Sequence, residues 1–338
     1  MKILVTGGAG FIGSHTVVEL YKAGFEVVVI DNFSNSTIDV IAGIEKILNV
    51  PIKYFSADCN DSEILEKIFL EECIEGVIHF AAYKSVNESI NEPLKYYDNN
   101  INSTINVLNV MKKTGVKNLV FSSSCTVYGQ PEDVPVTEHT PRKQATSPYG
   151  NTKSICEDII SDTAESRPGI KAVALRYFNP VGAHDSGFIG ELPLGIPNNL
   201  VPYITQVASG KLNKLTIFGG NYNTIDGTCI RDFIHVVDLA KSHVASVKYL
   251  NDLSNSNFYD VFNIGTGKGY TVLELINRFE KVNKIKLNYL IGDRREGDTE
   301  QIYGCVTKAK DILDWKAELT IDDMLRDAWN WQKNYCLK

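Results

Sequence analysis

At 338 residues the chain has room for about two domains of ordinary size, or for one large α/β unit with insertions. Hydrophobic residues at 43% and charged residues at 22% are ordinary globular usage and exclude a disordered, collagenous or fibrous chain. With 34 basic against 41 acidic residues, a net charge of −7, the molecule as a whole repels phosphate polymers and anionic membranes, so no nucleic-acid or membrane partner is expected and any anionic ligand must be captured locally.

No apolar run approaches the roughly 18 residues that span a bilayer, and the amino terminus reaches glycine too soon for a signal-peptide core, so a cytoplasmic location is expected. The seven cysteines are scattered, with no Cys-x-x-Cys pair and no histidines at zinc spacing. Neither disulfides nor a metal site is expected.

The first half alternates short β-branched runs with amphipathic stretches: KILVT at 2–6, EVVVI at 26–30, IKYFSA at 52–57, GVIHF at 76–80, NLVFSS at 118–123, and a sixth strand near 172–177. Runs of four to six apolar residues without strict alternation suit strands covered on both faces, which predicts an α/β fold with a parallel sheet between helices. From about Asn179 the rhythm breaks into Gly-, Pro- and Asn-rich sequence, where a second lobe is expected to begin. The segment 230–250 reads as a strand and a helix that return toward the sheet. This gives one domain over 1–178, rejoined near 230–264, and a discontinuous lobe over 179–338.

Gly7, Gly10 and Gly13 directly follow the first strand and open a helix. The first permits a tight turn, the second lets backbone approach a pyrophosphate, and the third allows helix and strand to pack closely; the helix amino terminus then faces the anion. Phe11 and Ile12 lie within the same loop. Such a triplet alone is also met in plain βα turns, but Asp31 ends the second strand eighteen positions after Gly13, close to the spacing of a ribose-binding carboxylate. Asp31 repels a 2′-phosphate, and no Arg or Lys recurs until Lys46, so NAD is favoured over NADP. A turn cap is the plainer role for Asp31.

Ser147 and Pro148 read as the cap and first turn of a helix that places Tyr149 and Lys153 on one face. A phenol with an ordinary pKa of about 10 is a poor base, but a neighbouring ammonium and an oxidised nicotinamide both favour phenolate. A tyrosine so placed is able to take a proton from a sugar hydroxyl as hydride leaves the same carbon. A surface Tyr–Lys pair at helical spacing is common; what lifts this one is Ser122-Ser123-Ser124 at the end of strand five, where a hydroxyl can bridge tyrosine and substrate. His15, His79, His235 and His243 read as packing or capping residues.

Ordered blocks along essentially the whole chain carry a resemblance: VTGGAGFIGSH at 5–15, HFAA at 79–82, YYDNN at 96–100, FSSSCTVYG at 121–129, SPYGNTK at 147–153, LRYFNPVGAH at 175–184, GIPNNLVPYI at 195–204, DGTCIRDFIHVVDLA at 226–240 and RREGD at 294–298. With these the chain resembles the extended short-chain dehydrogenase/reductase family, and within it the UDP-glucose 4-epimerase (UDP-galactose 4-epimerase) family. The resemblance implies a Rossmann-like doubly wound sheet with a smaller mixed α/β substrate lobe, NAD as tightly held cofactor, UDP-hexoses as substrates, and a homodimer formed through helices near 93–113 and 148–165. It implies that Tyr149 transfers the proton, Lys153 tunes it and holds cofactor ribose, and Ser124 assists at the sugar C4 oxygen. Asp31, Asn32, Asp58, Phe80, Ala81, Lys84, Asn99 and Tyr177 stand where relatives contact NAD. Asn179, Asn199, Leu200, Phe218, Arg231, Arg295 and Asp298 stand where they hold UDP, the two arginines being suited to clamp the diphosphate.

The implied reaction is reversible epimerisation at C4 through a transient 4-keto sugar that turns over on its diphosphate tether. Nucleotide-sugar 4,6-dehydratases share the cofactor and Tyr–Lys pair but carry an Asp-Glu dyad where this chain has Cys125-Thr126, which disfavours elimination. Uronate 4-epimerases are a closer alternative, and a noncatalytic NAD-sensing protein a more distant one. Ile302 replaces the bulky tyrosine of epimerases restricted to glucose and galactose, so room for UDP-GlcNAc and UDP-GalNAc is expected.

Overall fold

The structure, a computed structural model, describes residues 1–167, 169–294 and 299–336. Its first half runs β1 (Lys2–Thr6), α1 (Phe11–Lys22), β2 (Glu26–Asp31), α2 (Asp39–Leu48), β3 (Lys53–Ser56), α3 (Ser62–Glu71), β4 (Gly76–His79), α4 (Val86–Asn91), α5 (Pro93–Thr114), β5 (Asn118–Ser124), a 3₁₀ turn at Cys125–Tyr128, α6 (Pro148–Glu165) and β6 (Lys171–Tyr177). The second half runs β7 (Asn179–Val181), α7 (Leu200–Ala208), β8 (Leu215–Phe218), β9 (Ile230–His235), α8 (Val236–Asp252), β10 (Phe258–Ile264), β11 (Gly269–Thr271), α9 (Val272–Asn283), β12 (Tyr289–Gly292), β13 (Gln301–Ile302), α10 (Thr307–Leu313) and α11 (Ile321–Cys336).

Seven strands form one parallel sheet in the order β3-β2-β1-β4-β5-β6-β10. Successive side chains of a strand point to opposite faces, and β1 shows the result: Ile3 and Val5 join a core with Val17, Val18 and Leu239 of α1 and α8, while Leu4 joins a second core with Val107, Met111 and Ile160 of α5 and α6. This two-sided burial explains why the central strands read as unbroken apolar runs; β3, at the sheet edge, is mostly exposed. The chain leaves β1 toward β2 and β3, then crosses back to β4, which opens a crevice at the carboxyl ends of the strands.

Several of the helices start where a side chain satisfies a free backbone N–H group. Asp61 accepts from Ile64 N at 3.1 Å for α3, Ser85 from Glu88 N at 3.2 Å for α4, and Ser147 from Gly150 N at 3.2 Å for α6, where Pro148 occupies the first turn. Asn100 Nδ2 donates to Thr152 Oγ1 at 3.1 Å across the packed α5 and α6.

The second lobe is mixed: β9 pairs with β7 and β13 in parallel and with β11 antiparallel, and β8 pairs with β12 in parallel. Its core gathers Ile204, Ile217, Phe233, Phe279 and Leu325. The segment 230–250 divides between the layers, since β9 joins the small sheet while α8 packs on α1 and the large one. His235 marks the crossing: its Nδ1 accepts from Val237 N at 3.1 Å to cap α8, and its Nε2 lies 3.2 Å from Asp327 Oδ2 on α11.

Three other histidines are buried in neutral form. His15 Nδ1 donates to Phe11 O at 2.7 Å and His243 Nδ1 to Leu239 O at 2.9 Å, leaving each Nε2 as an unpartnered lone pair that could be charged only as a buried, unpaired N–H. His79 lies between Thr6 at 2.7 Å and Thr104 at 3.3 Å. Burial lowers His15 and His79 to about 3 and His243 to about 4 from 6.5. The unfolded chain therefore binds more protons below pH 6.5, so the stability these residues lend is complete above that pH and is lost as pH falls toward their folded values. Burial raises Asp232 to about 6, which opposes the trend between its ordinary 3.8 and that value. Burial also lowers His184 in the same direction, so up to three net groups give a slope of about 4 kcal/mol per pH unit at most. Urea unfolding at graded pH should show stability falling between about pH 6.5 and pH 4.5; a level profile would contradict the neutral assignment.

Candidate active site

A cleft of about 610 Å³ opens at the carboxyl ends of the large sheet, walled by the β1–α1 loop, the ends of β2, β4, β5 and β6, and the chain from Gly190 to Pro202. Gly7 has φ +68°, and a Cβ there would lie 2.9 Å from Ala81 N; a Cβ at Gly13 would lie 2.3 Å from Gly7 O. Both contacts are with backbone, so only glycine keeps loop, strand and helix this close. The amino end of α1 has no side-chain cap, which leaves its first N–H groups available to an anion.

Every residue that the sequence assigns to the dinucleotide lines this one cleft: Gly7, Gly10, Phe11, Ile12 and Gly13 at the loop, Asp31, Asn32 and Asp58 beyond β2 and β3, Phe80, Ala81, Lys84 and Asn99 beyond β4, and Tyr149, Lys153 and Tyr177. Asp31 is also a turn cap, so its two readings coexist. Its Oδ2 accepts from Ala9 N at 2.9 Å, and its Oδ1 from Phe33 N and Ser36 Oγ, both at 2.9 Å. These bonds aim a fixed carboxylate at the end of β2. Asn32 Nδ2 donates to Asp58 Oδ2 at 2.8 Å, extending the polar wall. Glycines without room for a side chain, an uncapped helix start and a pinned carboxylate together fit a dinucleotide with free ribose hydroxyls.

At the other end of the cleft, α6 presents Tyr149 and Lys153 to β5. Lys153 is 4% exposed and donates to Ser122 O at 2.6 Å, with its ammonium 4.9 Å from the Phe121 ring centre and 5.9 Å from that of Tyr149. Burial lowers Lys153 to about 8, so at neutral pH most of it carries its proton. Burial pushes the Tyr149 phenol up to about 12, and a hydrogen bond with Ser124 opposes the rise without cancelling it. The polypeptide alone thus keeps the phenol protonated, and the shift to phenolate anticipated from the sequence requires further positive charge in the cleft. Ser124 also accepts from Thr126 N at 3.2 Å, which fixes its hydroxyl at the start of the 3₁₀ turn.

The residues expected to hold the substrate are spread over the second lobe. Asn199 lines the cleft at the start of α7, where Leu200 follows it. Asn179 opens β7, Arg231 is on β9, and Phe218 ends β8 with 42% of its surface exposed. Arg231 is near enough to Cys125 to oppose the rise of its thiol pKa, which places it by the end of β5. Ile302 is opposite Arg231 in the β13–β9 register and is buried with Cys125, Tyr128 and Phe178. Arg295 and Asp298 lie outside the described residues.

Two contributors escape the sequence reading. Glu191 Oε1 accepts from Asn199 Nδ2 at 2.7 Å and from Lys84 Nζ at 3.2 Å, joining the two lobes across the cleft. Its loop has no periodicity from which that position could be read. Glu157 holds Ser123 and Arg176 behind the site, and its spacing of four from Lys153 on one helix was an available signal.

The family profile described as GDP-mannose 4,6 dehydratase matches residues 4–328. A UDP-glucose 4-epimerase of Haemophilus influenzae is 50% identical over 334 residues, covering 99% of this chain and 98% of its own. Among solved structures, UDP-glucose 4-epimerase of Stenotrophomonas maltophila with bound NAD and formylated UDP-arabinopyranose is 43% identical with a TM-score of 0.96, covering 100% of this chain and 99% of its own. UDP-glucose 4-epimerase of Bifidobacterium longum in complex with NAD⁺ and UDP is 47% identical with a TM-score of 0.94, covering 99% and 98%.

Proposed function

The chain belongs to the UDP-glucose 4-epimerase family of NAD-dependent isomerases, and we propose how its residues divide the work of interconverting UDP-glucose and UDP-galactose. The observation that carries the proposal is that Tyr149 and Lys153 line the cleft whose far wall holds Asp31 and meet the carboxyl end of β5 there, where Ser124 is beside the phenol. NAD, held by the β1–α1 glycines, Asp31 and Lys153, would supply the hydride acceptor and donor that a change of configuration at C4 needs.

Tyr149 accepts the proton of the C4 hydroxyl on its phenolic oxygen and gives it back when the sugar is reduced. Ser124, whose hydroxyl favours ionisation of that phenol, steadies the same proton path. Lys153 holds cofactor ribose and favours phenolate. Gly7, Gly10 and Gly13 admit the pyrophosphate, and Asp31 takes the ribose hydroxyls. Asn179, Asn199, Leu200, Phe218 and Arg231, with Arg295 and Asp298, hold UDP. Concentrating affinity on UDP leaves the hexose free to turn between its two faces.

Residues 1–178, rejoined by β10, serve as the NAD domain and 179–338 mainly as the UDP-sugar lobe. The packed pair α5 and α6 is the surface through which we expect a cytoplasmic homodimer to form. Elimination is the lesser reading although the matching profile carries a dehydratase's description: Cys125 and Thr126 stand where an acid and a base would be needed, and burial pushes the Cys125 thiol up to about 12. Turnover of glucose against glucuronate conjugates separates the uronate epimerases.

Tyr149→Phe should lower kcat by about a hundredfold or more while leaving UDP affinity nearly unchanged, as steady-state kinetics and calorimetry with UDP will show. Near-normal turnover would remove Tyr149 from this role. Ile302, smaller than tyrosine, should leave at least partial turnover of UDP-GlcNAc and UDP-GalNAc, and Ile302→Tyr should abolish it while sparing the glucose pair. Absence of N-acetyl turnover in the unaltered protein would defeat this expectation.

A further inference from the structure

Two hydrogen bonds attach α6 to the carboxyl end of β5, and they are one helical turn apart. Lys153 Nζ donates to Ser122 O at 2.6 Å, and Ser123 Oγ donates to Glu157 Oε1. Glu157 then accepts Arg176 in a bidentate pair, Nε to Oε1 at 2.9 Å and Nη2 to Oε2 at 2.6 Å. Arg176 Nη1 donates to Tyr128 OH at 3.1 Å, and Tyr128 OH donates to Asn263 Oδ1 at 2.6 Å on β10. All six side chains are buried.

Each anchored position adjoins a cleft residue: Ser123 follows Ser122, Arg176 precedes Tyr177, and Glu157 follows Lys153 by one turn. A buried ion pair contributes little net stability compared with apolar packing, so stability alone is a poor account of this one. We infer that Glu157 is a positioning residue of the reaction, locking α6 in register on β5, and so Tyr149 onto Ser124, while presenting negative charge to Lys153. The inference rests on the epimerase reading of the site.

The charges around the network are few. Facing Glu157 are Arg176 from β6, Arg142 at 3.7 Å from the loop before α6, Tyr128, and Tyr259 from β10. Facing Lys153 are Cys156 and Glu157 on its own helix, Tyr149, and His79 from β4, which is neutral. Glu157 raises the Lys153 pKa against the lowering by burial. Replacing it by glutamine keeps an oxygen for Ser123 but removes that support and leaves the Arg176 guanidinium uncompensated. Both changes drive Lys153 toward loss of its proton at lower pH.

The test is the pH profile of UDP-galactose turnover by the purified holoenzyme. In the unaltered protein kcat should decline as pH rises through about 8, where Lys153 loses its proton. Glu157→Gln should lower kcat about tenfold with KM within about twofold, as expected of a small misplacement, and should move the alkaline limb down by about half a pH unit or more. Ser123→Ala, which loses only the tether, should lower kcat about threefold with the limb unmoved. A Glu157→Gln profile superimposed on the unaltered one would overturn the inference even if its Tm fell. If Glu157→Gln does not fold, Ser123→Ala decides: a lower kcat at unchanged KM supports the inference, and unaltered kcat overturns it. Lack of turnover by the unaltered protein would instead count against the epimerase reading.

Discussion

The Lys153 ammonium is buried where α6 meets β5, bonded to the Ser122 carbonyl and beside the Tyr149 ring. Removing a charge from water is expensive, and burial draws this one down to about 8. Enough charge survives at neutral pH to bias the phenol beside it. The same bond fixes the helix against the strand, so orientation and electrostatics come from one contact. Ser147 and Pro148 begin the helix just before Tyr149, and Glu157 ties it down one turn after Lys153, which leaves the Tyr149 phenol on a short and well-held segment.

The rest of the fold delivers partners to that point. The crossing from β3 back to β4 opens the crevice, and glycines at 7 and 13 let the β1–α1 loop close upon it. Asp31 is pinned by three donors at the opposite wall. The cleft is therefore polar where a dinucleotide needs recognition, and it is buried where phenol and ammonium meet, which raises the phenol's pKa but also strengthens the pull of a neighbouring positive charge on it. Glu191 joins Lys84 on one side to Asn199 on the other, so the two lobes share a carboxylate across the cleft.

The sheet was legible because its physics is local. Doubly covered strands leave unbroken apolar runs, and all six anticipated strands agree with β1 to β6 within a residue or two at their ends. The glycine loop at the cleft was legible for a related reason, since close backbone approach demands glycine at 7 and 13. The division of 230–250 between two layers was not legible, because a strand followed by a helix has the same pattern whichever sheet receives it. Glu191 was hidden in a loop whose geometry depends on Trp331, whose Nε1 donates to the Glu191 carbonyl at 3.0 Å from α11. The high pKa of Tyr149 was hidden too, since burial of a phenol is a property of the assembled cleft and no spacing reports it.

The central claim is that a phenol held protonated by burial becomes a base when Lys153 and the cofactor supply positive charge together. Ultraviolet difference titration of the NAD-loaded protein, referenced to Tyr149→Phe, measures this directly. Ionisation of that phenol below the ordinary tyrosine value of about 10 with NAD bound, and above it once NAD is removed, is the predicted result. A phenol that ionises above that value in both states would contradict the account.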